Sequence, residues 1–304
     1  MIIFSHKCGQ LGNRLFAFAH LIAYAAANNK KIVNLSFDEY AIHFDKPSSD
    51  VLCRYPFKAG IRSSAIRSWL FLLNKIVLKV LRLARINNSP FHSIVVADLP
   101  DYQFSDDRYF DLTKNLSVSE RKEKPVIFMF GRFFRDYGNF AKYQNIIREH
   151  FKPILKIQEE VDNYISNIRT KATTVVGVHI RAGDYAHFAD GKYFFSQESY
   201  SSKILELINA HSERIFFFVI CSNAPIDLTI FRELPCATGI GHLVGDMYSF
   251  SQCDYIMGPP STYTLWASFY GNKPLYQIRD INEPVTLDKF RILPPEILFN
   301  FSFN

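Results

Sequence analysis

The strongest constraint on the fold is a repeated order of short apolar runs and helical segments. In the first half, IIF (2–4) is followed by a glycine-containing turn, a helical pattern from Leu11 and the run KIVNL. In the second half, TTVVGVHI (173–180) and RIFFFVIC (214–221) flank a helical segment at 197–211. Strands that are apolar throughout and alternate with helices are typical of parallel sheets covered on both faces. The sequence therefore predicts an α/β protein with two Rossmann-like sheets in succession.

The length also favours more than one domain, because 304 residues exceed the usual size of a single hydrophobic core. We predict an N-terminal domain over 1–168, a second domain over 169–285 and a tail over 286–304 that packs back on the fold. Within the second domain the pattern predicts a short strand at 243–244 and a helix at 246–253, then the strand YIMG and the helix STYTLWASF. Residues 38–64 are predicted to be irregular.

Composition and charge narrow the class of protein. Apolar residues make up 48% and charged residues 21%, which is typical of a globular chain and excludes a disordered or fibrous one. Five cysteines without a C-x-x-C pair indicate reduced core thiols. No secretory signal and no apolar span of membrane length is visible in the sequence. We therefore expect a soluble cytoplasmic protein. The net charge of +6 suits a polyanionic small ligand or a membrane surface. Nucleic acid is not expected, because basic and aromatic residues are not interleaved in one segment.

Residues 66–86 form the most lopsided segment of the chain. At helical spacing, Lys75, Lys79 and Arg82 fall on one stripe, and the apolar arc around it is very wide. One interpretation is a helix packed deep in its domain with a single solvated stripe. The other is a peripheral contact with the inner face of a membrane, in which basic side chains meet anionic headgroups.

Several common catalytic motifs are missing from the sequence. It contains no P-loop, no G-x-G-x-x-G after the first strand, no H-E-x-x-H and no D-x-D pair. We therefore predict no metal site. If the protein binds a diphosphate, side-chain cations and helix N-termini must neutralise its charge.

Polar residues follow three strands of the predicted second sheet. His179 and Arg181 share one face of the first strand end, and Asp184 can orient the Arg181 guanidinium or a substrate hydroxyl. Because ligands bind at the carboxyl ends of parallel strands, these residues predict one crevice, to which the other two strand ends contribute Ser222, Asn223, Ser261 and Thr262. The structural alternatives are an Arg–Asp pair that caps a strand end and an ordinary helix N-cap.

The first predicted βα turn is G-Q-L-G-N-R. Its glycines, Gly9 and Gly12, allow a ligand to approach the backbone, and Asn13 at the helix start could reach an interdomain cleft. A tight βα turn explains the same residues equally well.

Together these motifs resemble the α-1,2-fucosyltransferases. G-Q-L-G-N-R-L-F-A-F-A is similar to their G-G-L-G-N-Q-M-F-Q-Y-A signature, and H-I-R-A-G-D-Y to the H-x-R-x-G-D-Y segment shared with other fucosyltransferases. The segment from Asp246 to the S-T-Y-T-L-W-A-S-F run resembles the family's closing motif. The resemblance covers residues 9–276 apart from 35–125. It implies a GT-B-like fold of two Rossmann-like domains whose parallel sheets face each other across a cleft.

The resemblance also implies an activity and a set of site residues. Family members transfer fucose from GDP-fucose with inversion, without a metal or another cofactor, to an oligosaccharide or glycolipid acceptor bound by the first domain. By this resemblance, Arg181 would bind the β-phosphate and stabilise the departing GDP, and Asp184 would orient Arg181 or the incoming hydroxyl. His179 and Asp246 would recognise guanine, and Ser261 and Thr262 would bind phosphate. Ser222, Asn223 and Gly12 would make other donor contacts, and Asn13 would line the sugar pocket.

The sequence departs from the family pattern beside the donor site. Ala182 replaces a second arginine, Ser222-Asn223-Ala224 replaces S-D-D, Pro260 replaces an asparagine, and only Trp266 remains of a tryptophan pair. Two alternatives therefore remain. One is a transferase for another GDP-linked deoxyhexose or another linkage, and the other is a non-catalytic sugar- or nucleotide-binding relative.

Overall fold

The protein divides into two compact units, Met1–Ile154 and Leu155–Leu293. The computed structural model describes residues 1–97, 109–116, 124–131 and 133–294. The division falls in front of the helix Leu155–Arg169, whereas the sequence analysis places the boundary at the end of this helix.

The first unit contains a five-stranded sheet with the order β3-β2-β1-β6-β4, in which β3 is antiparallel and the other pairs are parallel. A separate two-stranded sheet pairs β5 with β7. The strands in chain order are β1 (Ile2–Phe4), β2 (Ile32–Asn34), β3 (Arg54–Tyr55), β4 (His92–Ala97), β5 (Phe110–Asp111), β6 (Val126–Gly131) and β7 (Phe134–Arg135). The helices are α1 (Leu11–Asn28), α2 (Asp45–Ser48), α3 (Ser64–Leu83), α4 (Leu112–Leu116), α5 (Tyr137–Lys142) and α6 (Gln144–His150).

Helix α1 is the central helix of the first unit. It is buried on nearly all sides from Leu11 to Ala25, as its almost uninterrupted apolar sequence requires. It ends at Asn29, which adopts the left-handed conformation with φ of 48° and donates its backbone N–H to the Ala25 carbonyl. The predicted β1–α1–β2 unit is therefore confirmed.

The second unit is built on the parallel sheet β10-β9-β8-β11-β12. All seven residues of β8 are buried, which explains its continuous apolar sequence. The elements in chain order are α7 (Leu155–Arg169), β8 (Thr174–Ile180), α8 (Gln197–Ala210), β9 (Phe216–Ser222), β10 (Cys236–Thr238), α9 (Leu243–Gln252), β11 (Tyr255–Gly258), α10 (Thr262–Gly271) and β12 (Leu275–Gln277). The prediction of two parallel α/β sheets in succession is confirmed, apart from the antiparallel edge strand β3 of the first sheet.

Two local predictions are wrong. Residues 243–244 do not form a strand but begin α9, because the His242 ring caps this helix and accepts a 3.0 Å hydrogen bond from the Gly245 N–H. An apolar pair alone does not distinguish a strand from a helix. Residues 38–64 are also more ordered than predicted, since they contain α2, β3 and one 3₁₀ turn, Ala41–His43.

The helix predicted at 66–86 is observed as α3, but the interpretation that it packs deep in its domain is wrong. Only Arg67 and Leu78 are buried, and Trp69 is 61% exposed. The wide apolar arc of this helix therefore faces away from the first unit.

All five cysteines are free thiols, and Cys236 is the only one that is not fully buried. No helix in the described part of the chain is long and apolar enough to cross a bilayer. The predicted tail 286–304 is described up to residue 294, and Arg291 pairs with Leu275 of β12. Its remainder, 295–304, lies outside the described residues.

Candidate active site

The carboxyl ends of the central strands of the second sheet lie at one level. His179 on β8 pairs with Cys221 on β9, and the pairing of Met257 with Val178 places Gly258 opposite His179. The loops that follow these strands therefore leave the sheet side by side, at the edge where open parallel sheets bind ligands.

Arg181 lies just beyond the end of β8. Its side chain is 12% exposed, and its Nη2 donates a 2.8 Å hydrogen bond to Asp184, whose side chain is 53% exposed. The Arg181 guanidinium also lies over the Tyr185 ring, 5.2 Å from the ring centroid. The cation is therefore held at the sheet edge beside an exposed carboxylate, with one of its faces on an aromatic ring.

Asn223 connects the end of β9 to the turn after β8. Its Oδ1 accepts a 2.8 Å hydrogen bond from the Ala182 N–H, and its Nδ2 donates to the Ala182 carbonyl at 3.3 Å and to Asp184 Oδ1 at 3.5 Å. Gly183 has a φ of +59°, which favours glycine. The amide therefore fixes the turn that places Asp184 beside Arg181.

The third strand end leads into the N-terminus of α10. Ser261 is the N-cap, and its Oγ accepts a 3.2 Å hydrogen bond from the Tyr263 N–H, while the half-buried Thr262 opens the first turn. The Tyr185 hydroxyl donates to the Pro260 carbonyl, so the turn after β8 and the proline turn are joined. A helix N-terminus with hydroxyl side chains is a site that attracts anions.

His179 is buried behind these loops. Its ring packs against Tyr263, with centroids 4.9 Å apart, and its Nδ1 has no hydrogen-bond partner among the residues that the structure describes. Burial, followed by the neighbouring Arg181, lowers the pKa of His179 to about 3. His179 is therefore a neutral ring at neutral pH.

Asp246 lies in the first turn of α9, close to the β9 and β10 ends. Its Oδ1 accepts a hydrogen bond from the Gly241 N–H at 3.2 Å, and a Cβ atom on Gly239 would lie 2.3 Å from the same oxygen. Burial raises the pKa of Asp246, although backbone hydrogen bonds from Gly241 and Ile240 act against this. The carboxylate is thus half-buried in a narrow backbone cradle, where it can accept hydrogen bonds from a planar ligand.

The two predicted site residues of the βα turn, Gly12 and Asn13, lie in the first unit. Gly12 is buried, and Asn13 is exposed in the first turn of α1. A Cβ atom on Gly9 would lie 2.3 Å from Asn13 Nδ2, and Gly9 has a φ of +58°. The turn therefore needs glycine at position 9, which the tight-turn interpretation explains.

A charged cluster at the carboxyl ends of β1 and β2 was missed by the sequence analysis. Lys7 pairs with Asp38 at 2.9 Å and with Glu39 at 2.6 Å, and Arg14 pairs with Glu39 at 2.9 Å and lies over the Tyr40 ring. The hydrogen bond from Lys7, together with the charges of Arg14 and Lys7, holds the pKa of Glu39 below its usual value. The signal in the sequence is that Lys7 and Asp38-Glu39 each follow a predicted strand.

The aromatic residues beside Arg181 and His179 were not predicted either. The Arg181 guanidinium lies over the Tyr185 ring, and the His179 ring packs against Tyr263. Tyrosines near strand ends are common in apolar sequences, so they carry no distinct signal. Among residues 1–97, 109–116, 124–131 and 133–294, no group of three or more His, Cys, Asp or Glu could hold a metal ion. The described site thus offers a cation, hydroxyl groups and a helix N-terminus for an anionic ligand.

Two α/β sheets in succession, with a cation at the carboxyl edge of the second, are typical of a GT-B-like glycosyltransferase. The chain belongs to glycosyl transferase family 11, which its sequence matches over residues 72–284. This range includes residues 72–125, which carry none of the family motifs described above, and it leaves the G-Q-L-G-N block outside. No curated protein matches the sequence.

Solved fucosyltransferases have a similar fold. An Arabidopsis thaliana FUT1 mutant in complex with GDP matches 95% of this chain and 73% of its own, with 11% identity and a TM-score of 0.59. NodZ α-1,6-fucosyltransferase soaked with GDP-fucose matches 91% and 94%, with 15% identity and a TM-score of 0.55. POFUT1 in complex with GDP-fucose matches 90% and 94%, with 12% identity and a TM-score of 0.54. At these identities the similarity concerns the fold.

Proposed function

We propose that this glycosyltransferase moves fucose from GDP-fucose to a hydroxyl group of an oligosaccharide or glycolipid acceptor, with inversion and an α-1,2 linkage. Arg181, held at the same sheet edge as the N-terminus of α10 and linked to the turn before it through Tyr185, is the observation that carries the proposal. Membership of glycosyl transferase family 11 supports it, as do the motif resemblance and two proteins of similar fold, POFUT1 in complex with GDP-fucose and NodZ soaked with GDP-fucose.

The proposed donor site extends along the carboxyl edge of the second sheet. Arg181 and the α10 N-terminus, with the Ser261 and Thr262 hydroxyls, bind the diphosphate, and the loop of Ser222 and Asn223 borders it. Asp246 binds guanine, because a carboxylate can accept hydrogen bonds from both N1–H and the exocyclic amino group of this base. Adenine, cytosine and uracil do not present this pair of donors.

His179 has a supporting role in this proposal. The buried neutral ring packs against Tyr263 and fills the space behind Arg181, so it adds no second charge next to the diphosphate. Its Nδ1 is buried and has no hydrogen-bond partner in the described residues.

In the proposed mechanism the diphosphate leaves as positive charge develops on the fucose ring. The Arg181 guanidinium exchanges the Asp184 carboxylate for phosphate oxygens and stabilises the departing negative charge, so that a resident metal is not required. The exchange leaves Asp184 available to orient the acceptor hydroxyl or accept its proton.

The test is a transfer assay with GDP-fucose and a panel of oligosaccharide acceptors. We expect an α-fucosyl group on O2 of an acceptor sugar, identified by proton NMR, and screening other GDP-deoxyhexoses by product mass tests the alternative donor. Arg181→Ala should lower turnover roughly 10²- to 10³-fold, about 2.7–4 kcal/mol of transition-state stabilisation, with an unchanged circular dichroism spectrum.

Arg232→Ala is the matched control, because that side chain is 76% exposed and, among the described residues, forms an ion pair only with its neighbour Glu233. It should leave turnover unchanged. Near-normal transfer by the Arg181 variant, or tight GDP binding without any transfer or hydrolysis by the unmodified protein, would contradict the proposal.

A further inference from the structure

The positive charge of the chain is concentrated in one segment. Between Asp50 and Asp98 the sequence contains eight Lys and Arg residues and no Asp or Glu. The rest of the chain, with 27 basic and 29 acidic residues, is slightly acidic. The net charge of +6 therefore comes from the part of the first unit that contains α3.

One side of α3 anchors this helix to the first unit. The Ser63 Oγ caps it by accepting from the Ile66 N–H, and Arg67 donates to the Pro47 and Ser48 carbonyls, the latter at 2.8 Å. Asn74 donates to the Ser5 Oγ at 2.7 Å, and Leu78 is buried. The orientation of the helix is thus fixed by hydrogen bonds on a single face.

The opposite side of α3 is apolar and uncovered in the described structure. Its large side chains are between 41% and 74% exposed, and they are Trp69, Leu72, Leu73, Ile76, Val80 and Leu83. Phe91, beyond the helix, is 75% exposed as well. A continuous apolar face of this extent on a soluble protein marks an interaction site.

A basic stripe of Lys75, Lys79 and Arg82 borders this apolar face. Lys79 lies three residues from Ile76 and four from Leu83, so it adjoins the outward face, whereas Lys75 lies four residues from Phe71 and adjoins the anchored side. All three side chains are exposed, and none pairs with a carboxylate of the described residues. Long basic side chains at such a border can reach headgroups while their stems cover apolar surface.

The basic residues around the apolar face of α3 indicate which kind of partner covers this face. If a second copy of the chain covered this face through the same helix, two basic stripes would meet in a region without acidic residues, which like-charge repulsion opposes. An anionic lipid surface instead provides acyl chains that the apolar face can contact and negative headgroups that the basic stripe can bind.

We propose that α3 binds the protein to the surface of an anionic bilayer, lying parallel to it with Trp69, Leu72, Ile76 and Val80 below the headgroups. This inference goes beyond the proposed reaction, since it concerns where the enzyme is held and not what it transfers. It requires no membrane-spanning segment, because an amphipathic helix binds in the plane of the interface.

Binding is measured by flotation with vesicles of phosphatidylcholine mixed with phosphatidylglycerol, and with vesicles of phosphatidylcholine alone. We expect binding to the anionic vesicles only, and weaker binding at high salt. The chain has two tryptophans, and Trp266 is fully buried, so a blue shift of the emission on adding vesicles reports Trp69. Trp69→Phe should abolish the shift.

Two surface variants separate charge from apolar contact. Replacing Lys75, Lys79 and Arg82 by Gln should weaken vesicle binding by roughly 100-fold, at about 5-fold for each charge. Replacing Leu72, Ile76 and Val80 by Ser should abolish it. A matched control with Gln at the exposed Lys156, Lys171 and Arg232 should bind like the unmodified protein.

Three results would overturn the proposal. One is no flotation with anionic vesicles. Another is a dimer in analytical ultracentrifugation that the Leu72, Ile76 and Val80 variant disperses, which would assign the face to a second copy. The third is a Trp69 emission that is already blue-shifted without vesicles and red-shifts when residues 295–304 are deleted, which would assign the face to the chain's own tail.

Discussion

At the scale of single residues, Asn223 determines the arrangement of the proposed donor site, because its amide both accepts and donates hydrogen bonds. The Oδ1 accepts from Ala182, and the Nδ2 donates to Ala182 and to Asp184. An aspartate, which occurs at this position in the family pattern, would keep the acceptor and lose the donor. It would also place a second negative charge near Asp184.

We therefore expect Asn223→Asp to weaken GDP binding by about 10-fold, since one lost charge-assisted hydrogen bond corresponds to about 1.5 kcal/mol or more. Isothermal titration calorimetry with GDP measures the change. Asn87→Asp, an exposed substitution in the first unit, introduces the same charge away from the site and should bind GDP normally. Equal GDP affinity in the Asn223 variant would mean that the turn does not depend on this amide.

The sequence predicts part of the site at this scale. The pairing of Arg181 with Asp184 follows from their spacing after a strand, and Ser261 is recognisable as an N-cap. The contacts of Asn223 are not predictable in this way, because they join residues 41 positions apart and depend on the register of β8 with β9. The catalytic and binding roles of these residues remain predictions.

At the scale of elements, β11 and β8 approach closely where the site begins. A Cβ atom on Gly258 would lie 2.7 Å from the His179 carbonyl oxygen, and backbone atoms can move little in the middle of a sheet. The close approach sets the path of the proline turn and the position of the α10 N-terminus.

We expect Gly258→Ala to lower the free energy of unfolding by about 1–3 kcal/mol and to weaken GDP binding, because the strands must separate. Chemical denaturation and calorimetry measure the two effects. Gly138→Ala makes the same substitution in α5 where no atom lies within 4 Å of the new Cβ, and it should stabilise the protein by about 0.5–1 kcal/mol. A Gly258 variant as stable as the unmodified protein would show that the sheet relaxes without cost.

Long elements are well predicted from the sequence because their patterns are extended. Helix α1 and strands β8 and β9 each contain an uninterrupted apolar run, and all three are confirmed. The exposure of α3 could not be predicted, since a wide apolar arc is equally typical of a buried helix and of one that binds a surface. The start of α9 depends on a histidine cap, a local contact that a two-residue apolar run conceals.

At the scale of the whole molecule, buried histidines make stability depend on pH. Burial lowers the pKa of His150 from 6.5 to about 3, and Lys46 adds to the effect. Above pH 6.5 neither the folded nor the unfolded state binds a proton at this ring. Below it the unfolded state binds one and the folded state does not, so stability is lost as pH falls from about 6.5 towards 3.

Each such histidine should lower the free energy of unfolding by about 1.4 kcal/mol per pH unit in this window. His150→Phe should reduce the slope by that amount, because phenylalanine fits the aromatic surroundings of Phe18 and Phe151 and does not titrate. Urea denaturation at several pH values measures it, with His187→Asn at an exposed position as control. An unchanged slope in the His150 variant would exclude this ring as a source of acid sensitivity.

The account as a whole depends on a guanosine diphosphate held at the carboxyl edge of the second sheet by Arg181, the α10 N-terminus and Asp246. The most direct test is calorimetric titration of the protein with GDP, ADP, UDP and CDP, with and without a chelator. We predict that GDP binds equally well in both conditions and at least about 10-fold more tightly than the others, since a half-buried carboxylate left without its base partner costs 1.4 kcal/mol or more. Equal binding of ADP, or loss of GDP binding on addition of the chelator, would contradict it.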